Sequence, residues 1–163
     1  MAKTKQEKAQ IIERLQEVFK SAASTVFVHF RSITVAEETV LRKALRTEGV
    51  TYNVARKTLI RRALTGVGLS GEGQLDGEIA VVYGGADASV ASRAAHAFVK
   101  TLGAERFSIA GGIFEGLLKT GPEMQEIATI PPLPVLRGMF AQIINSPRQR
   151  FAVVLNAVSG TKN

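Results

Sequence analysis

Apolar residues recur along this chain with two periods, and the switch between them marks its elements. Ile11, Ile12, Leu15, Val18, Phe19 and Ala22 follow helical spacing, so the pattern predicts an amphipathic helix over about Lys5 to Ser21. TVFVHF, Thr25 to Phe30, is β-branched and aromatic and predicts a buried strand. Thr34 and Glu37 have capping-box spacing; they open a second helix through Val40, Leu41, Ala44 and Leu45 that Gly49 closes. VTYNVA, Val50 to Ala55, predicts a second strand, and Lys57 to Leu64 a short helix with Leu59, Ile60, Ala63 and Leu64 on one face.

A glycine-rich loop, TGVGLSGEGQLDG, leads to a third strand at Glu78 to Tyr83. A helix near Ser89 to Leu102 and a fourth strand at Phe107 to Phe114 follow. With the first and third helices set aside as additions, the order is β-α-β-β-α-β, the split-βαβ or ferredoxin-like arrangement. The expected fold is therefore α+β, with helices on one face of a mainly antiparallel sheet and extra helices appended.

A small helix near Pro122 to Thr129 should end this domain, residues 1–130. Pro131, Pro132 and Pro134 predict a stiff hinge over 131–134, because proline lacks a backbone donor and cannot extend a preceding helix. In the tail, 135–163, Leu136, Met139, Phe140, Ile143 and Ile144 form one apolar helical stripe. Phe151, Val154, Leu155 and Val158 form another. Pro147 stands between them and should kink or interrupt a helix about 37 Å long at 1.5 Å per residue.

Charge changes the picture more than overall composition does. The formal net charge is +7, there is no cysteine, and no apolar run approaches the roughly 18 residues of a membrane span. Disulfides, thiolate metal sites and cysteine nucleophiles are excluded, and a cytoplasmic protein is expected. Residues 1–65 hold most of the basic side chains, whereas the tail carries no acid at all. A basic excess of this kind suits nucleic acid or an anionic membrane.

Catalytic and cofactor chemistry finds little to work with. Gly66, Gly68 and Gly71 spell GVGLSG, but this follows a predicted helix rather than a strand, so it lacks the strand-to-helix turn that cradles a pyrophosphate. His29 and His96 have no second ligand at metal spacing, and Asp76 and Asp87 lie in loops. No enzyme, metal or cofactor is expected.

The basic third offers a better candidate. Lys57 and Arg61 lie four residues apart opposite the apolar face of the third helix, with Arg62 and Arg56 beside them and the Thr58 hydroxyl nearby. Arg31 leaves the first strand just before a helix N-terminus. Arg and Lys with hydroxyls and backbone donors suit phosphate oxygens. Few aromatics accompany them in the sequence, so docking on folded RNA is expected over base stacking. Arg42, Lys43 and Arg46 are weaker candidates, because Glu38 stands at pairing distance from Arg42 on the same helix.

The stretch FRSITVAEETVLRKALRTEGVTYNVARKTLIRRAL, Phe30 to Leu64, resembles the bacterial large-subunit ribosomal protein ten family. Matching positions are Phe30, Arg31, Ile33 and Thr34, then Leu45, Arg46, Gly49 and Val50, then Arg56, Thr58 and Leu59. Ser32 stands where the family has Gly, and Lys57 where it has Asn. AGGIFEG at Ala110 to Gly116 and EIATIP at Glu126 to Pro131 extend the likeness in order along nearly the whole chain. The resemblance implies a stalk-base protein of the large ribosomal subunit that binds ribosomal RNA at the GTPase-associated region, near large-subunit protein eleven. Arg31, Thr34, Arg56 and Thr58 carry over by position; Lys57, Arg61 and Arg62 rest on charge alone.

It further implies that tail segments each bind a dimer of the acidic stalk protein seven/twelve, here two dimers, so that translation GTPases are recruited indirectly. Each tail half offers large apolar side chains worth roughly 1.5–3 kcal/mol apiece on full burial, against an association cost of roughly 4–15 kcal/mol. Three other readings compete: a tail that folds back onto its own core, a basic helix lying on a membrane, and a free RNA-binding translational repressor whose tail self-associates. The membrane reading is weakened by the absence of Trp, by Pro147 and by the few tail arginines, Arg137, Arg148 and Arg150.

Overall fold

The structure is a computed structural model that describes residues 5–69, 77–84 and 87–160. In chain order the elements are α1 (Lys5–Ser21), β1 (Ser24–Phe30), α2 (Val35–Thr47), β2 (Val50–Val54), α3 (Lys57–Val67) and β3 (Ile79–Gly84). They continue with α4 (Val90–Leu102), β4 (Phe107–Phe114), β5 (Leu117–Thr120), α5 (Gly121–Thr129) and α6 (Leu133–Gly160). The chain divides into two compact units, Met1–Ile130 and Pro131–Asn163.

In the first unit the strands form one sheet in the order β2-β3-β1-β4-β5. Every pairing is antiparallel. The first four strands with α2 and α4 give the expected ferredoxin-like order. The fifth strand was not expected from the sequence. Phe114 pairs with Leu117 across Glu115 and Gly116, both at positive φ (51° and 78°), which is the two-residue turn that closes a tight hairpin.

The expectation of helices on one face is corrected: helices cover both. Val26, Val28, Ala80 and Val82 pack with Leu41 and Leu45 of α2, Ala91 and Ala95 of α4, and Met124 of α5. Phe27, Ile79, Val81 and Ile113 pack on the opposite side with Leu15 and Phe19 of α1 and Ile60, Ala63 and Leu64 of α3. The physical reason lies in β1 and β3, whose central residues are apolar at consecutive positions, so neither face can be left in water. Phe19 and Phe27 meet edge to face at 5.9 Å between ring centres. The helices set aside as additions are therefore a full layer of the core.

The second unit is α6, a single helix of 28 residues without a buried residue. It runs without interruption through Pro147, so the expected break near Asn145 and Ser146 is not present. Proline's fixed φ of about −65° is itself helical, and the ring removes one hydrogen bond without ending the helix. The helix also starts earlier than expected, at Leu133, which makes Pro134 part of its first turn rather than of a hinge.

Candidate functional site

Strand register gathers the basic candidates at one end of the sheet. Phe30 pairs with Phe107, His29 with Ile79, and Val54 with Ala80. The exits of β1 and β2, which carry Arg31 and Arg56, thus lie at the same end, separated by one strand and so by roughly 10 Å. Arg31, Arg56, Lys57, Thr58, Arg61 and Arg62 are all exposed. No ion pair engages any of these cations among the described residues.

Two helix N-termini meet this end, and their chemistry differs. At α2, Thr34 is the N-cap, with Glu37 N–H donating to Thr34 Oγ1 at 3.3 Å and Thr34 N–H donating to Glu37 Oε2 at 2.8 Å. The Thr34 hydroxyl also donates to Glu37 Oε2 at 2.7 Å, so it is engaged within the chain. Arg106 then grips the same carboxylate with both Nη atoms, at 3.0 and 2.8 Å, and donates to the Ser32 carbonyl at 2.8 Å. The Arg106 bonds, followed by those of Thr34, hold the Glu37 carboxyl down at about pH 2, and the ion pair in turn raises Arg106. The α2 terminus is already served by a carboxylate, so the exposed Arg31 is what this loop offers an anion.

At α3 the situation is reversed. Its N-cap is Arg56, which makes no side-chain capping bond, and the first turn contains no acid. The first N–H groups of a helix mostly lack intrahelical partners, and here the residues that open it bring the cations Arg56 and Lys57 and no carboxylate. The buried face of Leu59, Ile60, Ala63 and Leu64 fixes the helix against the sheet and turns Lys57, Arg61 and Arg62 outward. By contrast Arg42 on α2 is neutralised by Glu38 at 2.6 Å and lies over the Tyr52 ring, 5.3 Å from its centre.

A groove of about 810 Å³ opens beside the start of α3. Ile11 and Leu15 of α1, Leu59 of α3 and Ile79 of β3 line it, and Lys8, Arg14, Arg56 and Lys57 contribute positive charge. Glu78 is the acid among its described lining residues. Neither Lys8 nor Arg14 was singled out in the sequence, because both belong to a helix that looked peripheral there. Arg106 was also missed, since nothing local marks a partner 69 residues from Glu37.

The decoys resolve into ordinary structure. Gly66 lies within α3 and Gly68 caps it at φ 82°, while Gly71 and Asp76 fall outside the described residues. The His29 ring packs against Gly77, where φ is 77° and any side chain would strike the imidazole. No cluster of metal-ligating side chains occurs among the described residues.

On α6 the side chains of Leu136, Met139, Phe140, Ile143, Ile144, Phe151, Val154, Leu155 and Val158 are all exposed, from 37% at Leu136 to 69% at Ile143. At 3.6 residues per turn an uninterrupted helix sets both groups on one face spanning roughly 160°, with Pro147 inside it. The two expected stripes are therefore one.

The chain matches the family model described as Ribosomal protein L10 over residues 3–100. It is 33% identical over 163 residues to the large ribosomal subunit protein uL10 of Shouchella clausii, covering 99% of this chain and 97% of the relative. The uL10 of Staphylococcus aureus is likewise 33% identical, over 95% of this chain and 93% of its own length. The chain belongs to the ribosomal protein L10 family, whose members are structural, non-enzymatic constituents of the large subunit of the cytoplasmic bacterial ribosome.

Proposed function

We propose that this protein is the base of the ribosomal stalk, with residues 1–130 binding large-subunit ribosomal RNA and the tail docking dimers of the acidic stalk protein seven/twelve. The RNA surface runs from Arg31 to the cationic start of α3, where Arg56, Lys57 and Thr58 meet phosphate and Arg61 and Arg62 extend the charge. Thr34 contributes by holding the Arg31 loop. The RNA partner is the GTPase-associated region, with large-subunit protein eleven as a neighbour and translation GTPases recruited indirectly through the docked stalk.

The observation that carries this reading is α6. A helix of 28 residues with no buried residue cannot owe its place to its own core, and its apolar side chains form one long face. It also contains no acid, which suits an acidic partner. Both cores of the first unit are built from residues of that unit. Leu136 through Ile144 offer one docking segment and Phe151 through Val158 a second, centred about 22 Å apart along the axis.

Native mass spectrometry with the acidic stalk protein is the direct test. One copy of this chain with four stalk chains is expected; homodimers that ignore the stalk protein would overturn the reading.

A further inference from the structure

We propose that the groove between α1 and the β2–α3 junction receives a single unstacked nucleotide of the bound RNA, with its base on the apolar floor and its phosphate against the cationic rim. The inference rests on the RNA-binding reading above and adds a site to it. The groove combines what a nucleotide requires and a plain phosphate contact does not. Ile11, Leu15, Leu59 and Ile79 supply an apolar floor in a volume of about 810 Å³, within the usual range of small-ligand sites. Lys8, Arg14, Arg56 and Lys57 outnumber Glu78 at its lining, so the occupant is anionic as well as partly apolar.

Two further side chains favour a base. Tyr83 lies on the same face of β3 as Ile79 and lines the groove, so the fold supplies an aromatic that the sequence near Lys57 lacks. Asn53 projects from β2 in the same register, opposite Val81, and its amide offers both a donor and an acceptor to a base edge. Among the described residues β2 pairs with β3 alone, which puts it at the edge of the sheet beside Asn53. The floor takes up the base, Asn53 reads its edge, and the rim neutralises the phosphate.

The test uses the full chain and an RNA fragment of the GTPase-associated region. Asn53→Trp fills the groove without changing charge and places the only tryptophan in the chain there. It is expected to weaken binding at least tenfold, lower the slope of log affinity against log salt by about one as the nucleotide's phosphate leaves the rim, and preserve the thermal melt. Independently, wild-type protein photo-crosslinked to the same RNA carrying 4-thiouridine should yield adducts on peptides spanning residues 8–18 or 53–59. Wild-type affinity in Asn53→Trp together with adducts confined to other peptides would overturn the nucleotide site and leave the RNA-binding reading standing. Failure of the wild-type chain to bind the fragment at all would overturn both.

Discussion

The two units of this protein use the same apolar vocabulary to opposite ends. In residues 5–130 nearly every large apolar side chain of β1 and β3 is covered, Val26, Val28, Val81 and Val82 completely so. In α6, side chains of the same kind stand in water at half or more of their full exposure for the most part. Periodicity alone does not separate these cases, since α3 and α6 both carry an apolar stripe. What separates them is that α3 buries four residues of its stripe and α6 buries none. The stripe of α6 is the one we propose for a partner.

The largest expected effect breaks that comparison at its buried side. Phe27→Ala, in the strand shared by both cores, should cost about 3–5 kcal/mol of stability, as deletion of a fully buried aromatic does. Phe140→Ser should change stability by less than about 0.5 kcal/mol, because that ring is exposed, yet remove docking at the first tail segment. Urea denaturation checks the first half and stalk stoichiometry the second. A Phe140→Ser chain that melts early would assign α6 to the core after all.

A smaller effect is expected at the proposed RNA surface, whose candidate residues are charged where those of the tail are apolar. Replacing Lys57, Arg61 and Arg62 with Gln removes charges from a helix whose core face is untouched. RNA affinity should fall by about one to two orders of magnitude, and the slope of log affinity against log salt should flatten by about two to three. Filter binding across a salt series measures both. An unchanged slope would show that the phosphates lie elsewhere.

Much of this architecture was legible in the sequence because local signals and tertiary outcome agree. The Thr34–Glu37 spacing predicted a capping box that the structure contains, and TVFVHF predicted a strand that forms β1. The ferredoxin-like order followed from element sequence alone. Most of the failures share a cause: they depend on residues far apart in sequence. Nothing in α1 or α3 individually says that they meet, so their joint role as a second layer was invisible until β1 and β3 were seen to be apolar on both faces. Arg106 carries no local sign of its hold on Glu37 and Ser32. The groove is assembled from α1, β2, α3 and β3, so no window of sequence contains it. The β5 hairpin and α6 are exceptions: Glu115–Gly116 is a local turn signal, and Pro147 has a φ that a helix accepts.

The Glu37–Arg106 pair allows a finer test of how the Arg31 loop is held. Glu37 lies at about 2 rather than the ordinary 4.5, so its interactions stabilise the fold at any pH above the ordinary value. That contribution should fade as pH falls below about 4.5 and be gone once the folded-state value near 2 is passed. Glu37→Gln should therefore flatten the stability profile across that window while lowering RNA affinity a few-fold at neutral pH through the displaced loop. Denaturation midpoints at pH 3 and pH 6 for both chains test the sign. A wild-type midpoint more dependent on pH above 5 than below it would contradict the assignment.

The smallest effect is expected at Pro147, and it bears on how the two tail segments are distinguished. An interior proline costs a helix about 3 kcal/mol relative to alanine, so the turn around it is the weakest of α6 even though the helix continues. Because both apolar segments already lie on one face, Pro147→Ala does not need to rotate one against the other to keep two dimers docked. The stoichiometry should stay at four stalk chains, with amide exchange slowed around residues 143–151 and affinity raised less than tenfold. Loss of one dimer in Pro147→Ala would instead mean that the proline itself divides the docking sites, by a bend that lets two partners stand clear of each other. In that case the continuity of the helix matters less than its weak point, and adding a second proline within one segment should not restore the lost dimer unless it falls at the same turn.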